Sequence, residues 1–157
     1  MNVPPILARQ PRSSNLRLKK EFSEKDRDEF LRSTFEYVCR FFEGSIQALQ
    51  ERNLDVEGAI ERIDGRSMAA VLYRGGKKVA ECSVRLDRLG RGGGIAFSFD
   101  ASRMASGYNE MLSVDATDQL LYLKSLGMSH MTGREQHLSE EGAAELFWGM
   151  FIVRLQG

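Results

Sequence analysis

The sequence predicts an α+β fold: a long N-terminal helix, a six-stranded antiparallel meander and a C-terminal helix, with both helices on one face of the sheet. Three observations lead to this prediction. A stretch near the start has the apolar period of a helix, six short segments after it resemble strands separated by turn residues, and a second apolar helical stretch ends the chain. No helix-length linker separates the six segments, so parallel crossovers are excluded and the sheet is expected to be antiparallel.

The predicted first helix spans residues 23–52, and the rest of the chain packs around it. Its apolar face recurs at steps of three and four, at Leu31, Phe35, Val38, Phe42, Ile46 and Leu49. Phe30, Tyr37 and Phe41 widen this face. Ser23 is a suitable N-cap, and Gly44 inside the helix indicates a close approach of another backbone or a bend. We expect the apolar face to pack on the fourth strand, which carries Ile95, Phe97 and Phe99.

Six strand segments follow, at residues 56–64, 67–73, 77–87, 94–100, 109–115 and 119–126. Asp64-Gly65 and Gly75-Gly76 are hairpin signals between the first three. Alternation is clearest in the third segment, where one face carries Ala80, Cys82, Val84 and Leu86 and the other carries Glu81, Ser83, Arg85 and Asp87. We therefore expect one face of the sheet to be buried and the other to be solvated.

The predicted second helix follows Ser139, a suitable N-cap, and is apolar on nearly every side from residue 143 to residue 155. A sheet can cover only one side of a helix, so the remaining surface needs another cover. We therefore predict an interface with a protein partner or a second copy of the chain, formed by Trp148, Phe151 and Phe147. The alternative is that the first helix packs beside this one and hides the whole surface.

Residues 21–157 are expected to form a single α+β domain, and residues 1–20 a flexible basic arm with all three prolines, five bases and no acids. The net charge is zero but uneven: minus six over 21–64, plus five over 65–104 and minus four over 105–157. The favoured interpretation is that charged side chains on solvated faces of the protein happen to cluster. The alternative is a basic sheet surface that meets an acidic partner.

Composition also limits the classes of partner and the location. Zero net charge and the scarcity of aromatics among the bases of the sheet make nucleic-acid binding an unfavoured function. The first twenty residues lack the apolar core of a signal peptide, and the apolar run 147–153 is too short to span a bilayer. Cys39 and Cys82 resemble small buried hydrophobic residues. We expect a cytoplasmic protein without membrane contact.

One glycine-rich segment is a candidate anion-binding loop, formed by Arg88, Gly90, Arg91, Gly92 and Gly93. Glycines let backbone N–H groups converge on an anion, and the arginines can assist. The segment fits neither a P-loop nor a dinucleotide fingerprint, and it precedes a strand where those motifs precede a helix. A flexible connection between two strands is the favoured interpretation.

A candidate polar site lies before the second helix, where His130, Glu135 and His137 are close in sequence. Histidine can act as a general base near neutral pH, but this spacing fits no common zinc pattern. Ser102 and Ser106 lack the nucleophile elbow of a hydrolase. We predict no metal, no cofactor and no catalytic residue, and we interpret the two histidines as ordinary loop residues.

Four segments of the chain resemble a recurring bacterial domain without an assigned activity. They are residues 19–53, 60–84, 109–115 (NEMLSVD) and 138–152 (LSEEGAAELFWGMFI). The resemblance covers about residues 19–156. Such domains occur alone or behind small signalling or defence domains of the TIR type, so the resemblance implies an accessory or sensing role. It carries over no catalytic residues.

Two functions remain open at the level of the sequence. The first is a non-catalytic interaction or regulatory accessory domain in a bacterial signalling or anti-phage defence system. The second is a small enzyme or ligand-binding protein that uses a cavity between sheet and helix. A sealed core favours the first function, and an open apolar pocket with convergent polar groups favours the second.

Overall fold

The computed structural model of the chain describes residues 10–88, 93–101, 107–126 and 137–156. Its elements are α1 (Glu24–Arg52), β1 (Val56–Asp64), β2 (Ser67–Arg74), β3 (Lys77–Arg88), β4 (Gly94–Ser98), β5 (Glu110–Ala116), β6 (Leu121–Ser125) and α2 (Glu140–Gln156). The strands form one antiparallel sheet in sequence order. The predicted α+β fold, with a six-stranded meander between two helices, is confirmed.

α1 begins where the sequence can satisfy its first backbone N–H groups. The Ser23 hydroxyl accepts from the Asp26 N–H at 3.1 Å, and the Asp26 carboxylate accepts from the Ser23 N–H at 2.9 Å, which makes a capping box. The apolar face is buried from Leu31 to Ile46, and Leu49 is partly buried. A methyl group added at Gly44 would meet no neighbouring atom within 4 Å. The predicted close approach of another backbone at that glycine is therefore wrong.

Two different kinds of turn connect the first three strands. Between β2 and β3, Gly75 and Gly76 have φ angles of 58° and 81°, in the left-handed region that favours glycine. Between β1 and β2, Asp64 Oδ1 accepts from the Arg66 N–H at 2.8 Å and from the Ser67 hydroxyl at 2.9 Å. Both turns lie where the sequence predicts them.

The core lies between the sheet and the two helices. Phe97 of β4 stacks on Phe147 of α2 with ring centroids 5.4 Å apart, and Phe42 of α1 stacks on Phe151 of α2 at 5.5 Å. All four side chains are buried, and Ile95 and Phe35 belong to the same cluster. Phe99 is only partly buried. The α1 face and β4 thus belong to one core, as predicted, and the ring contacts join both of them to α2, which the prediction did not include.

The opposite face of the sheet is less exposed than predicted. Ser83 of β3 is only 6% exposed, and Ala96 of β4 is fully buried. The Ser83 hydroxyl donates to the Asp100 carbonyl oxygen at 2.8 Å, and the Arg85 guanidinium donates to the Gly107 carbonyl oxygen at 2.9 Å. Backbone that follows β4 therefore covers this face, and the prediction of a solvated face is wrong for its middle strands.

The aromatic side chains of α2 are mostly covered by the chain itself. Phe147 and Phe151 are buried, and Trp148 is partly buried with its ring centroid 5.3 Å from that of Phe42. α1 lies beside α2 and supplies this cover, as the alternative interpretation expects. Phe147 and Phe151 therefore lie in the core of this chain.

Candidate binding groove

The free edge of β6 is only partly covered. Alternate residues of β6 bond to β5, so Leu121, Leu123 and Ser125 direct their backbone N–H and C=O groups to the other side. Leu123 exchanges two backbone hydrogen bonds with Leu138, at 2.8 and 2.9 Å. Within the described part of the chain, no backbone group bonds to Leu121 on this side. Among the described residues, the edge is thus open at Leu121, next to the bridge at Leu123.

A groove runs beside this edge, where α1, the β5–β6 hairpin and the start of α2 meet. We call it the edge groove; its volume is about 760 Å³. Its apolar lining residues are Phe30, Tyr37, Leu120, Leu121, Tyr122 and Leu138, and its polar ones are Thr117, His137, Ser139, Glu140 and Glu141. Four of the five polar residues come from the start of α2 and the residues just before it, so the polar groups gather on one side.

An imidazole ring forms part of the wall of the edge groove. The His137 ring stacks on the Tyr122 ring with centroids 3.8 Å apart and 17° between the planes. The Tyr122 hydroxyl donates to Asp115 Oδ2 at 3.4 Å. Of the described carboxylates, none is hydrogen-bonded to His137, so nothing there orients it as a general base. The arrangement presents a flat aromatic surface.

A second groove, of about 630 Å³, continues around the start of α1 and shares Phe30, Leu121 and Glu140 with the edge groove. Its other lining residues are Lys20, Glu21, Phe22, Asp26, Glu29 and Ser33. Together the two grooves are lined by five carboxylate side chains and one ammonium group. Carboxylates are ionised at neutral pH, so this surface is acidic.

The basic arm enters beside these grooves. The Lys20 N–H donates to the Asp118 carbonyl oxygen at 2.8 Å, and the Gln119 side-chain amide donates to the Leu18 carbonyl oxygen at 2.8 Å. These two bonds attach the end of the arm to the β5–β6 turn. Leu18 is 82% exposed and Leu120 is 53% exposed. Exposed apolar side chains therefore flank the acidic surface.

At the opposite edge of the sheet, α1 contacts β1 at Gly58 and at Arg62. The Gly58 N–H donates to Gln50 Oε1 at 2.7 Å. The Arg62 guanidinium donates to both carboxylate oxygens of Glu36, at 2.7 and 3.2 Å, and lies 5.4 Å from the centroid of the Phe35 ring. The hydrogen bonds from Arg62 lower the pKa of Glu36 below its ordinary value of 4.5.

A third groove, apolar and smaller, lies on the outward side of α2. Its volume is about 390 Å³, and its lining residues are Phe99, Glu145, Leu146, Gly149, Met150 and Val153. Val153 is 54% exposed. The predicted interface on α2 stays a prediction, and the residues that the structure leaves available for it are those of this outward stripe together with part of Trp148.

The candidate anion-binding loop falls largely outside the described residues. Arg88 is the last residue of β3, and Gly93 is buried just before β4. Gly90, Arg91 and Gly92 lie outside the described ranges. Anion binding there stays a prediction.

The candidate polar site before α2 is described at one residue only. His137 lies in the edge groove, whereas His130 and Glu135 lie outside the described residues, as do Ser102 and Ser106. The groove that His137 lines is formed by α1, the β5–β6 hairpin and the start of α2, and not by the predicted neighbours His130 and Glu135.

The bases between residues 65 and 104 are partly paired inside the chain. Arg74 Nε lies 3.0 Å from Asp55 Oδ2, and Lys78 Nζ lies 3.3 Å from Glu81 Oε2. Local pairing of this kind weakens the positive field that a basic sheet surface would need to attract an acidic partner.

Metal-binding and thiol chemistry find little support in the described chain. No three histidine, cysteine, aspartate or glutamate side chains among its described residues come together as a metal site requires. Burial raises the pKa of the Cys39 thiol to about 12 and also raises the pKa of Cys82. Both thiols therefore stay protonated at neutral pH. In the described ranges, neither helix is long and apolar enough to cross a bilayer.

The edge groove is not predicted from the sequence. Phe30 and Tyr37 are predicted to widen the core face of α1, yet both are only partly buried and both line the groove. The available signal was their spacing: seven residues apart, they lie two turns apart on one flank of the helix, beside the main stripe. The β6 and α2 residues that complete the groove come from the far end of the chain, which no local pattern reveals.

Comparison with known proteins places these features in a family. A family model described as “Y4lF protein domain” matches residues 57–153. The chain is 45% identical over 148 residues to a protein of Sinorhizobium fredii named “Uncharacterized protein y4lF”. That alignment covers 94% of the chain and 46% of the relative, so the chain spans about half the relative's length. No solved structure matches the chain. The bacterial relative agrees with the resemblance to a bacterial domain.

Proposed function

The chain belongs to the Y4lF domain family, and we propose that it is a non-catalytic interaction domain that binds a protein partner in the edge groove. The observation that carries the proposal is the groove itself, about 760 Å³ in volume, with an aromatic and leucine lining and polar groups gathered on one side. Binding sites combine a concave apolar lining with a few polar groups that fix orientation.

The surroundings of the groove favour a protein over a small molecule. The groove continues into the second groove past Phe30 and Leu121, so the concave surface is elongated. Leu18 and Leu120 extend the exposed apolar surface at its margin. Contiguous apolar surface rimmed by polar residues is typical of protein interaction sites.

Nuclear magnetic resonance with neutral aromatic fragments tests whether the edge groove binds at all. Indole and p-cresol should shift the amide signals of Tyr37, Leu121 and Tyr122 more than those of other residues, because these rings complement an aromatic lining. Tyr37→Ala should weaken these shifts. Val153→Ala, on the outward side of α2, is the matched control and should leave them unchanged. Shifts confined to other surfaces, or no shifts, would rule out the groove.

A ligand-binding or enzymatic role in the same groove is the second candidate. One arrangement favours this candidate. The His137 ring stacks on Tyr122, whose hydroxyl donates to Asp115, and this places an imidazole ring at an open apolar pocket. We nevertheless expect no bound transition metal and no catalytic dependence on His137. Elemental analysis of the purified chain checks the metal. Stoichiometric zinc that is lost in His137→Ala would favour this second candidate.

The biological setting is proposed from the resemblance alone. A regulatory accessory role in bacterial signalling or anti-phage defence fits a domain that spans about half the length of its relative. The genes that adjoin the coding sequence in different bacteria test this setting. Recurrent TIR-type or other defence neighbours would support it, and neighbours without a common theme would remove it.

A further inference from the structure

We propose that the edge groove recognises an extended segment of another protein that carries an arginine or a lysine between apolar residues. The inference rests on the proposed function and adds the chemistry of the partner. Three features of the groove carry it: carboxylates without matching bases, aromatic rings beside them, and a backbone position of β6 that is open to pairing.

The carboxylates at the groove are poorly neutralised by the described chain. Glu141 makes no hydrogen bond or ion pair with a described residue, and Glu140 accepts from the Ser33 hydroxyl at 2.8 Å. Glu29, in the adjoining groove, has only an exposed ion pair with Lys25 at 3.7 Å. The groove is built from the two acidic stretches of the sequence, so its potential attracts a basic segment and repels an acidic one.

The chain already contains one pairing of this kind, filled by its own arginine. Arg62 donates two hydrogen bonds to Glu36 and lies over the Phe35 ring. A carboxylate fork and an aromatic face are the two partners that guanidinium groups prefer. The edge groove offers the same two partners, since the Tyr37 and Tyr122 rings share its lining with Glu140 and Glu141 and no lysine or arginine lines it among the described residues.

The open backbone position at Leu121 favours an extended segment. Leu121 lines both grooves, and its N–H and C=O groups point away from β5. An extended segment can exchange backbone hydrogen bonds there, between the arm bonded at Asp118 and the bridge at Leu138. The gap is short, so side-chain contacts supply most of the specificity.

Fluorescence anisotropy with synthetic peptides tests the proposal on the full chain. The probe is a fluorescein-labelled, amidated Leu-Arg-Leu-Arg-Leu peptide, and two matched peptides replace arginine by citrulline or glutamate. Citrulline keeps the shape and removes the charge. We expect the arginine peptide to bind about tenfold more tightly than the citrulline peptide at low salt. Half-molar salt should remove most of that difference, because screening shortens the electrostatic range.

Charge-removing variants locate the site. Glu140→Gln combined with Glu141→Gln should weaken binding of the arginine peptide about tenfold and leave the citrulline peptide unaffected. Glutamine at position 140 keeps an acceptor for Ser33. Glu145→Gln, on the outward side of the same helix, is the control and should bind like the parent. Thermal melts establish that all variants are folded.

The outcomes separate this inference from the proposed function. Equal binding of all three peptides, mapped to the groove by amide shifts, would overturn the inference and leave the proposed function standing. No groove shifts with any peptide or fragment would overturn both. Binding of N-acetylarginine amide as tight as the peptide would identify a small-cation site instead. Contacts from Ile6 or Leu7 of the arm to Tyr37 in the peptide-free chain would show that the chain's own arm occupies the groove. That result would overturn the inference.

Discussion

At the β1 edge, Gln50 of α1 accepts from the Gly58 N–H and Glu36 of α1 holds Arg62, whereas at the β6 edge the described chain supplies only the backbone bridge from Leu138. The same helix borders both edges. One flank of α1 contacts β1 through Gln50 and Glu36, and the other places Phe30 and Tyr37 beside an open groove.

This difference indicates that one side of α1 contributes mainly to stability, whereas the other side is available for binding. Strand edges carry unpaired backbone groups and are normally covered or charged. At Leu121 of the β6 edge, backbone groups without a partner in the described chain lie beside the apolar lining of the groove. Substitutions on the two sides of α1 should therefore have different consequences, and three measurements test this comparison.

The largest effect on the free energy of unfolding is expected at the centre of α1, where it packs on α2. Phe42 is buried and its ring contacts those of Trp148 and Phe151, so Phe42→Ala should lower the free energy of unfolding by about 3–5 kcal/mol. Urea denaturation measures the loss. Phe41→Ala, at a partly buried position one residue earlier, is the control and should cost less. A loss below about 1 kcal/mol for Phe42→Ala would contradict the seating of α1.

The contact between α1 and β1 leaves no room for a side chain at Gly58. A methyl group at Gly58 would lie 2.6 Å from Ile46 Cγ2 and 2.9 Å from Leu72 Cδ2. Gly58→Ala should therefore destabilise the fold by about 1–3 kcal/mol. The same change at Gly44 meets no neighbouring atom within 4 Å and should stabilise by up to about 1 kcal/mol. Equal effects of the two substitutions in urea denaturation would show that α1 does not pack closely against β1 at Gly58.

The smallest effect is a dependence on pH at the same edge. Because its folded-state pKa is lowered, ionised Glu36 stabilises the fold above its ordinary pKa, and this contribution disappears as the pH falls through the lowered value. Glu36→Gln should cost less than about 1 kcal/mol at pH 7, since the pair is half-exposed. The difference in stability between parent and variant should narrow as the pH falls below 4.5, the ordinary pKa of this carboxyl. Glu57→Gln on β1 is the control, and a gap that widens on acidification would reverse the assignment.

The fold is largely predictable because its elements have local causes. Ser23 and Asp26 determine where α1 begins, and Gly75-Gly76 determines where β2 turns into β3. Each strand pairs with its neighbour in sequence, so predicting the strands and turns in order also gives the sheet.

The groove was not predictable in the same way, because its causes are distant in sequence. Tyr37 and Tyr122 share a lining only after α1 crosses to the β6 side, and His137 joins them through the bridge at Leu138. Periodicity also could not separate Phe147, which is buried, from Val153, which is exposed on the same apolar helix. For a helix that is apolar all round, the neighbours decide which side is core.

The order of the elements along the chain has a consequence for biosynthesis. The strands pair only with neighbours in sequence, so hairpins can form locally as the chain leaves the ribosome. α1 is made before α2, and the contact between them spans 107 positions from Ser33 to Glu140. Throughout translation of the sheet, Phe42 and its neighbours lack the aromatic cover that α2 supplies. The apolar face of newly made α1 is thus open to aggregation and to chaperones until α2 emerges.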